Sequence, residues 1–183
     1  KSLFGIQTWV ALPKDKEDRP ADFIHAARTD LPELEAEGKR VRLVLGDAWG
    51  VSAPVETSSR MFYADAMLEP GARIPLPDDH EDRGVYVLTG SIDVAGETYD
   101  AGRMMVFRPG DALSLKAGPE GARLMMLGGD TMDGPRHIWW NFVASSQDRI
   151  DAAKEAWRAG DWAHGRFQLP PGDEDEYIPL PDR

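Results

Sequence analysis

Between Val41 and Ala144 the chain alternates short apolar and β-branched runs with turns built on Gly, Pro and Asp, at the spacing typical of sandwiches and barrels. The runs are Val41–Leu45, Met61–Leu68, Val85–Leu88, Ser91–Val94, Arg103–Phe107, Ala112–Leu115, Arg123–Leu127 and His137–Ala144. In the second of them Met61, Tyr63 and Met67 share one face, the period-two pattern of a strand with a core side and a wetter side. Short strands in this number, joined by tight turns, predict an all-β fold, a closed or jelly-roll barrel that hides its sheet edges.

The flanks read differently. Gly5 to Leu12 has the alternation and aromatic content of one more strand, stopped by Pro13 and the charged run Lys14 to Arg19. Pro20 to Lys39 is polar and broken by Pro20 and Pro32, which predicts a surface connection with at most a helical turn around Phe23 to Arg28. A short C-terminal helix is predicted after the last strand: Ser145 and Asp148 form a capping-box pattern, Ile150, Ala153 and Trp157 fall on one face, and Gly160 supplies the stop. The extended tail beyond it, with Trp162, Phe167 and Leu169 among Pro, Gly and acidic residues, cannot form its own core and needs a surface, on another domain or subunit if not on this one. The expected division is 1–39 as a strand and linker from a preceding domain, 40–144 as the barrel, and 145–183 as helix and acidic tail. Gly5-Ile6-Gln7-Thr8-Trp9-Val10-Ala11 also echoes His137-Ile138-Trp139-Trp140-Asn141-Phe142-Val143, as if each closed one copy of a repeated unit.

Composition narrows the chemistry. A length of 183 residues suits one well-buried core with extensions. No apolar run approaches the roughly 20 residues of a membrane-spanning helix, and the opening lacks both an initiator Met and the layout of a signal peptide. The expected compartment is the cytoplasm, with no membrane partner. A formal charge of -11 repels phosphate backbones, so no nucleic-acid partner is expected. With no cysteine, disulfides, thiolate metal sites and cysteine nucleophiles are impossible.

The glycine frame Gly71, Gly90, Gly102 and Gly110, with the turn Pro109-Gly110-Asp111, resembles the cupin pattern, in which a barrel carries three His and one Glu around a metal. Laid on that frame, Pro77 and Asp79 stand at the two early His positions, Arg83 at the Glu position and Leu113 at the late His position. Most of these cannot ligate, and a guanidinium repels a cation. The histidines His25, His80, His137 and His164 form no local chelate; His80 among Asp78, Asp79 and Glu81 is the remaining metal candidate, with a solvated acidic loop as the favoured reading. Ser58, Ser59, Ser145 and Ser146 lie in no nucleophile elbow, and Gly128-Gly129-Asp130 is a turn rather than a phosphate cradle. Trp139 and Trp140 are expected on opposite faces of one strand, packing the core and the tail. The methionines either line an adaptable pocket or fill the barrel, filler being the simpler reading.

Gly5-Ile6-Gln7-Thr8-Trp9-Val10-Ala11-Leu12-Pro13, Gly102 to Asp111, Gly134-Pro135-Arg136-His137-Ile138-Trp139-Trp140-Asn141-Phe142-Val143 and the ending Pro171 to Pro181 together resemble bacterial pirin-like proteins over nearly the whole chain. The resemblance implies a two-domain cupin, or bicupin, in which iron is expected only in an N-terminal domain upstream of residue 1, and in which Gly5 to Pro13 is the exit from that domain. Some bacterial members are linked to quercetin 2,3-dioxygenase activity and animal members to redox-dependent transcriptional co-regulation. No His-Pro-His-Arg-Gly segment is present, so no catalytic residue carries over. The expectation is therefore a metal-free supporting or docking half, with no cofactor of its own, whose partner is the missing domain or another subunit. The parent protein is expected to be a metal-dependent dioxygenase. A rival expectation is a barrel that binds a small ligand, an aromatic one included, in a pocket of Arg73, Tyr63, Arg83, Met105 and Met125, with Arg83 or Arg73 holding a carboxylate.

Overall fold

The computed structural model describes residues 4–181. The chain divides into two compact units, one running Arg19–Thr131 and the other combining the described residues up to Asp18 with those from Met132 onward.

The first unit is an antiparallel jelly roll of β1 (Glu33–Ala36), β2 (Lys39–Ala48), β3 (Val51–Ser52), β4 (Met61–Leu68), β5 (Arg73–Pro75), β6 (Asp82–Val94), β7 (Glu97–Asp100), β8 (Met104–Phe107) and β9 (Ser114–Gly129). The strand order is β1-β2-β4-β9-β6-β7, with β3 on β2, β5 on β9 and β8 on β6. Four of the runs legible in the sequence fuse into two long strands, β6 and β9. The reason lies at Gly90 and Gly121: both have positive φ, and a Cβ on Gly90 would stand 2.0 Å from the Gly121 carbonyl oxygen. Two bare backbones pass where side chains would collide, so each strand bends through a bulge and continues pairing beyond it.

Period two then sorts the side chains. Leu43, Ala64, Met126, Val85 and Met105 stand in one cross-strand row, and all are buried. Ile74, Leu76, Ile92 and Leu115 fill the same core farther along the barrel. Part of the expected linker is also sheet: β1 pairs with β2 across a tight turn in which Glu37 and Gly38 both take positive φ. The helical turn expected around Phe23 to Arg28 is instead a single 3-10 turn at Arg28–Asp30, set by the Asp30 carboxylate, which accepts the Ala27 N–H at 3.2 Å.

The second unit departs further from expectation. Gly5 to Leu12 forms no strand among the described residues, because none of them offers it a ladder to join. His137 to Ala144 is not the barrel's last strand but a hairpin of β10 (His137–Trp139) and β11 (Phe142–Ala144), a two-stranded sheet of its own. Its turn passes through Trp140 at φ 50. Trp139 and Trp140 therefore do not alternate across a strand. Both join Phe142, Trp157, Phe167 and Leu180 in one aromatic cluster against α1 (Gln147–Ala159). The helix is capped one residue later than expected, by Ser146, whose hydroxyl accepts the Arg149 N–H. Gly160 ends it in the left-handed region as predicted. The tail finds its surface within this unit: the Trp157 indole donates to the Ile178 carbonyl at 3.0 Å, and Tyr177 lies against Trp162 with centroids 4.9 Å apart.

Ser145 is free of the cap because it serves another contact. Its N–H and its hydroxyl each donate to the Glu17 carboxylate at 2.6 Å, and the Arg149 Nε lies 3.3 Å from the same group. Beside it the Arg136 guanidinium donates to the Leu12 carbonyl at 2.7 and 3.2 Å and to Asp133. The Lys14 backbone N–H and then Arg136 hold the Asp133 carboxyl below the usual aspartate range. These bonds tie the N-terminal segment to hairpin and helix, with Glu17 only 9% exposed. Removing a buried charged acceptor strands its donors, so Glu17→Ala is expected to lower stability by roughly 2 kcal/mol. Glu17→Gln, which keeps the acceptor oxygen, should cost about half as much; urea unfolding followed by tryptophan fluorescence reads both.

Candidate functional site

The barrel end at the start of β6 is where the cupin pattern would assemble a metal. Register places Phe62 of β4, Gly128 of β9, Arg83 of β6 and Phe107 of β8 in one row across this end, on the core side of the sheet. Gly128 is what allows them to meet. A Cβ there would lie 2.4 Å from the Phe62 ring, 2.6 Å from the Asp82 carbonyl oxygen and 3.2 Å from Arg83 Cγ.

Arg83 is 2% exposed, the largest fully buried side chain of the protein's described residues. Its Nη1 donates to the Asp111 carbonyl at 2.7 Å and the Pro77 carbonyl at 3.3 Å, and its Nη2 to the Arg108 carbonyl at 2.6 Å. One guanidinium thus fastens the Pro109-Gly110-Asp111 turn and the loop before β6 to the barrel wall. Among the described residues no carboxylate pairs with it, and its Nε has no hydrogen-bond partner.

Of the other positions read from the cupin pattern, Pro77 is buried and contributes only its carbonyl. The Asp79 side chain is exposed and pairs with Arg60, and Leu113 packs its side chain against the core. A divalent metal does not fit this set: one guanidinium, two side chains without donor atoms, and a carboxylate turned to another cation. Among the described residues no three His, Asp or Glu side chains come together as a metal-binding group.

His80 overturns one expectation. Asp78, Asp79 and Glu81 are exposed as read, but His80 itself is 1% exposed and turned inward. Its ring lies 5.0 Å from that of Phe62, its Nε2 is 3.3 Å from the Asp47 carbonyl oxygen, and its Nδ1 is buried without a partner. An imidazole flanked by acids looks solvated in a sequence; an apolar ring beneath the loop drew it in. The neighbouring Glu81 carboxyl is held below the usual range by the side chain and backbone N–H of Thr131.

The five-residue pocket does not assemble. Arg83 and Met105 face the core, whereas Tyr63 and Met125 stand in rows with Leu127 and Tyr86 on the other side of the same sheet. Arg73 is exposed on β5. A register of two assigns alternate residues to opposite faces, so proximity in sequence order could not join them. An open groove of about 880 Å³ lies elsewhere in this unit, lined by Arg40, Met67, Glu69, Glu120 and Arg123 among others. Two of its cations are paired: Arg123 holds Asp65 through two bonds of 2.9 Å, which raises the Arg123 pKa above its ordinary value, and Lys39 pairs with Glu37 at 2.6 Å. In the sequence only the turn glycines Gly38 and Gly121 at its rim mark the place.

The profile described as the pirin C-terminal cupin domain matches residues 63–163, more than half of the chain. The chain belongs to that family. A pirin-like protein of Caulobacter vibrioides is 41% identical over 97% of this chain and 60% of its own length. Pirin-1 of Arabidopsis thaliana is 27% identical over 81% of this chain and 54% of its own. The crystal structure of a quercetin 2,3-dioxygenase from Acinetobacter baumannii superposes with a TM-score of 0.78 at 28% identity, covering 96% of this chain and 58% of that one. The chain thus spans little more than half the length of the relatives it matches. The pirin match includes the hairpin and all of α1 as well as the barrel from Tyr63 onward, so it takes in part of both units. No helix among the described residues is long and apolar enough to cross a membrane.

Proposed function

We propose that this chain is a cupin barrel that binds no metal and acts as the supporting and docking half of a longer pirin-like protein. The observation that carries the reading is Arg83. At the position where the cupin pattern calls for a carboxylate ligand, a buried guanidinium is committed to three main-chain carbonyls, and a cation brought there would meet like charge in a poorly solvated setting. Iron then belongs to the other half of the parent. The similarity to the Acinetobacter baumannii quercetin 2,3-dioxygenase supports an oxidoreductase of that type for the parent, with this half shaping the assembly and performing no chemical step.

Metal analysis tests this directly. After incubation with Fe(II) and desalting, the 183-residue chain is expected to retain far less than one transition metal per polypeptide, and to consume no oxygen with quercetin. Stoichiometric metal, or turnover by this chain alone, would refute the assignment.

The docking role is supported by apolar groups left exposed in the second unit. Ile138 and Val143 face each other across the hairpin at 67% and 38% exposure, and Trp9 and Ile6 are 52% and 44% exposed. The proposed occupant is the preceding domain of the parent or a second copy of the chain. A chain that sediments as a monomer both alone and with the separately produced preceding domain would count decisively against docking.

A further inference from the structure

We infer that the open groove of the first unit, floored by Arg40, binds a short zwitterionic peptide by its two charged ends. The groove encloses about 880 Å³, ample for a small ligand. Its floor is one register row on the outer face of the sheet: Arg40 of β2, Met67 of β4, Arg123 of β9 and Thr89 of β6.

Arg40 sets the chemistry. Its neighbours on the same face, Arg42 and Arg123, are paired with Glu33 and Asp65. Arg40 is half-buried and makes no ion pair among the described residues. Glu35 is its register partner on β1, yet Arg40 turns to Met67 of β4, where its Nη2 donates to the thioether sulfur at 2.9 Å. A thioether is a weak acceptor, and the other four of the five guanidinium N–H groups have no protein acceptor. A guanidinium with unspent donors at the floor of a groove takes a carboxylate through two parallel bonds.

The rim supplies the opposite sign. Glu69 directly follows β4 and Glu120 lies on β9, the first and second strands beyond β2, and neither pairs with a cation among the described residues. Strand spacing sets these positions roughly 5 and 10 Å across the sheet from β2. An extended peptide advances about 3.5 Å per residue, so two or three residues bring a terminal carboxylate and a terminal ammonium to that separation. The chain's formal charge of -11 repels a free anion at long range, whereas a zwitterion carries no net charge and escapes that penalty.

Methyl signals of ¹³C-labelled methionines in the whole 183-residue chain provide the test. Met67 lies in the groove; Met104, similarly exposed on the same face but outside the groove lining, is the control. Trialanine is expected to shift Met67 saturably, with a dissociation constant on the order of millimolar, and to leave Met104 unmoved. Blocking either end, as N-acetyl-trialanine or trialanine amide, should weaken binding roughly fivefold or more, and so should Arg40→Gln in a chain whose Met104 signal is unchanged. Acetate at equal concentration should shift Met67 far less. A Met67 signal indifferent to trialanine overturns the inference, since Glu35 and water would then satisfy Arg40. Equal shifts at Met67 and Met104 overturn it too, as a sign of unspecific contact. So does a blocked peptide, or acetate, that binds as tightly as trialanine, because the paired charges would then not be what is recognised. The peptide arms use the unaltered chain, so the test stands even if Arg40→Gln fails to fold, and no arm involves a metal, so every outcome leaves the metal-free reading as it is.

Discussion

Arg83→Ala is expected to be among the most destabilising single changes in the barrel, lowering its unfolding free energy by about 3 kcal/mol or more. The substitution removes three charge-assisted bonds at once and opens a void beside Phe62 and Gly128. The carbonyls of Pro77, Arg108 and Asp111 lose their shared donor, and the Pro109-Gly110-Asp111 turn loses its anchor. Arg83→Lys should recover only part of the loss, because a single ammonium cannot reach two loops in a fixed fork. Arg83→Glu is the sharper test: it places a carboxylate among carbonyl oxygens and should be worse than alanine. Urea midpoints of the three variants give the order. If Arg83→Glu were as stable as wild type and bound iron, the barrel would have to be regarded as a metal site in waiting.

Trp157→Ala should have a comparable effect on the other unit, about 3–5 kcal/mol on the range for large aromatic truncations. Trp157 is the hub of the cluster, with ring centroids 5.5 Å from Trp140, 4.9 Å from Trp162, 5.2 Å from Phe167 and 6.0 Å from Phe142. Its indole also holds the tail through the Ile178 carbonyl. The expected signature is local: amide exchange should accelerate in β10, β11, α1 and the tail while β4, β6 and β9 keep their protection, and limited proteolysis should cut first beyond Leu169. Trp157→Phe retains most ring contacts and loses only the indole donor, so it should free the tail at a smaller cost, on the order of 1 kcal/mol. Uniform loss of protection across both units would show that they unfold together.

The period-two pattern, the glycine and proline punctuation and the helix signals are local properties, and they make the sheet-rich fold, the central strands of the barrel and α1 legible in the sequence. The resemblance to pirins, carried by the runs around Gly5, Gly102, Gly134 and Pro171, was legible for the same reason, since a family is a matter of sequence. Where the readings failed, the deciding contact came from far along the chain. Ser145 looked like a helix cap until Glu17 took its hydroxyl and N–H. His80 looked solvated until Phe62 offered a ring beneath it.

The sequence by itself determined which residues could not hold a metal, because the chemistry of Pro77, Arg83 and Leu113 does not depend on where they lie. It also determined that strands would alternate faces. Only the tertiary structure decided which face each strand turned inward, and so parted Arg83 and Met105 from Tyr63 and Met125. It also decided that the arginine at the ligand position would be spent on three backbone carbonyls from two loops. The physical reason is that register and loop closure are fixed by the sum of packing across the whole sheet, whereas side-chain chemistry and local periodicity belong to each residue and its nearest neighbours.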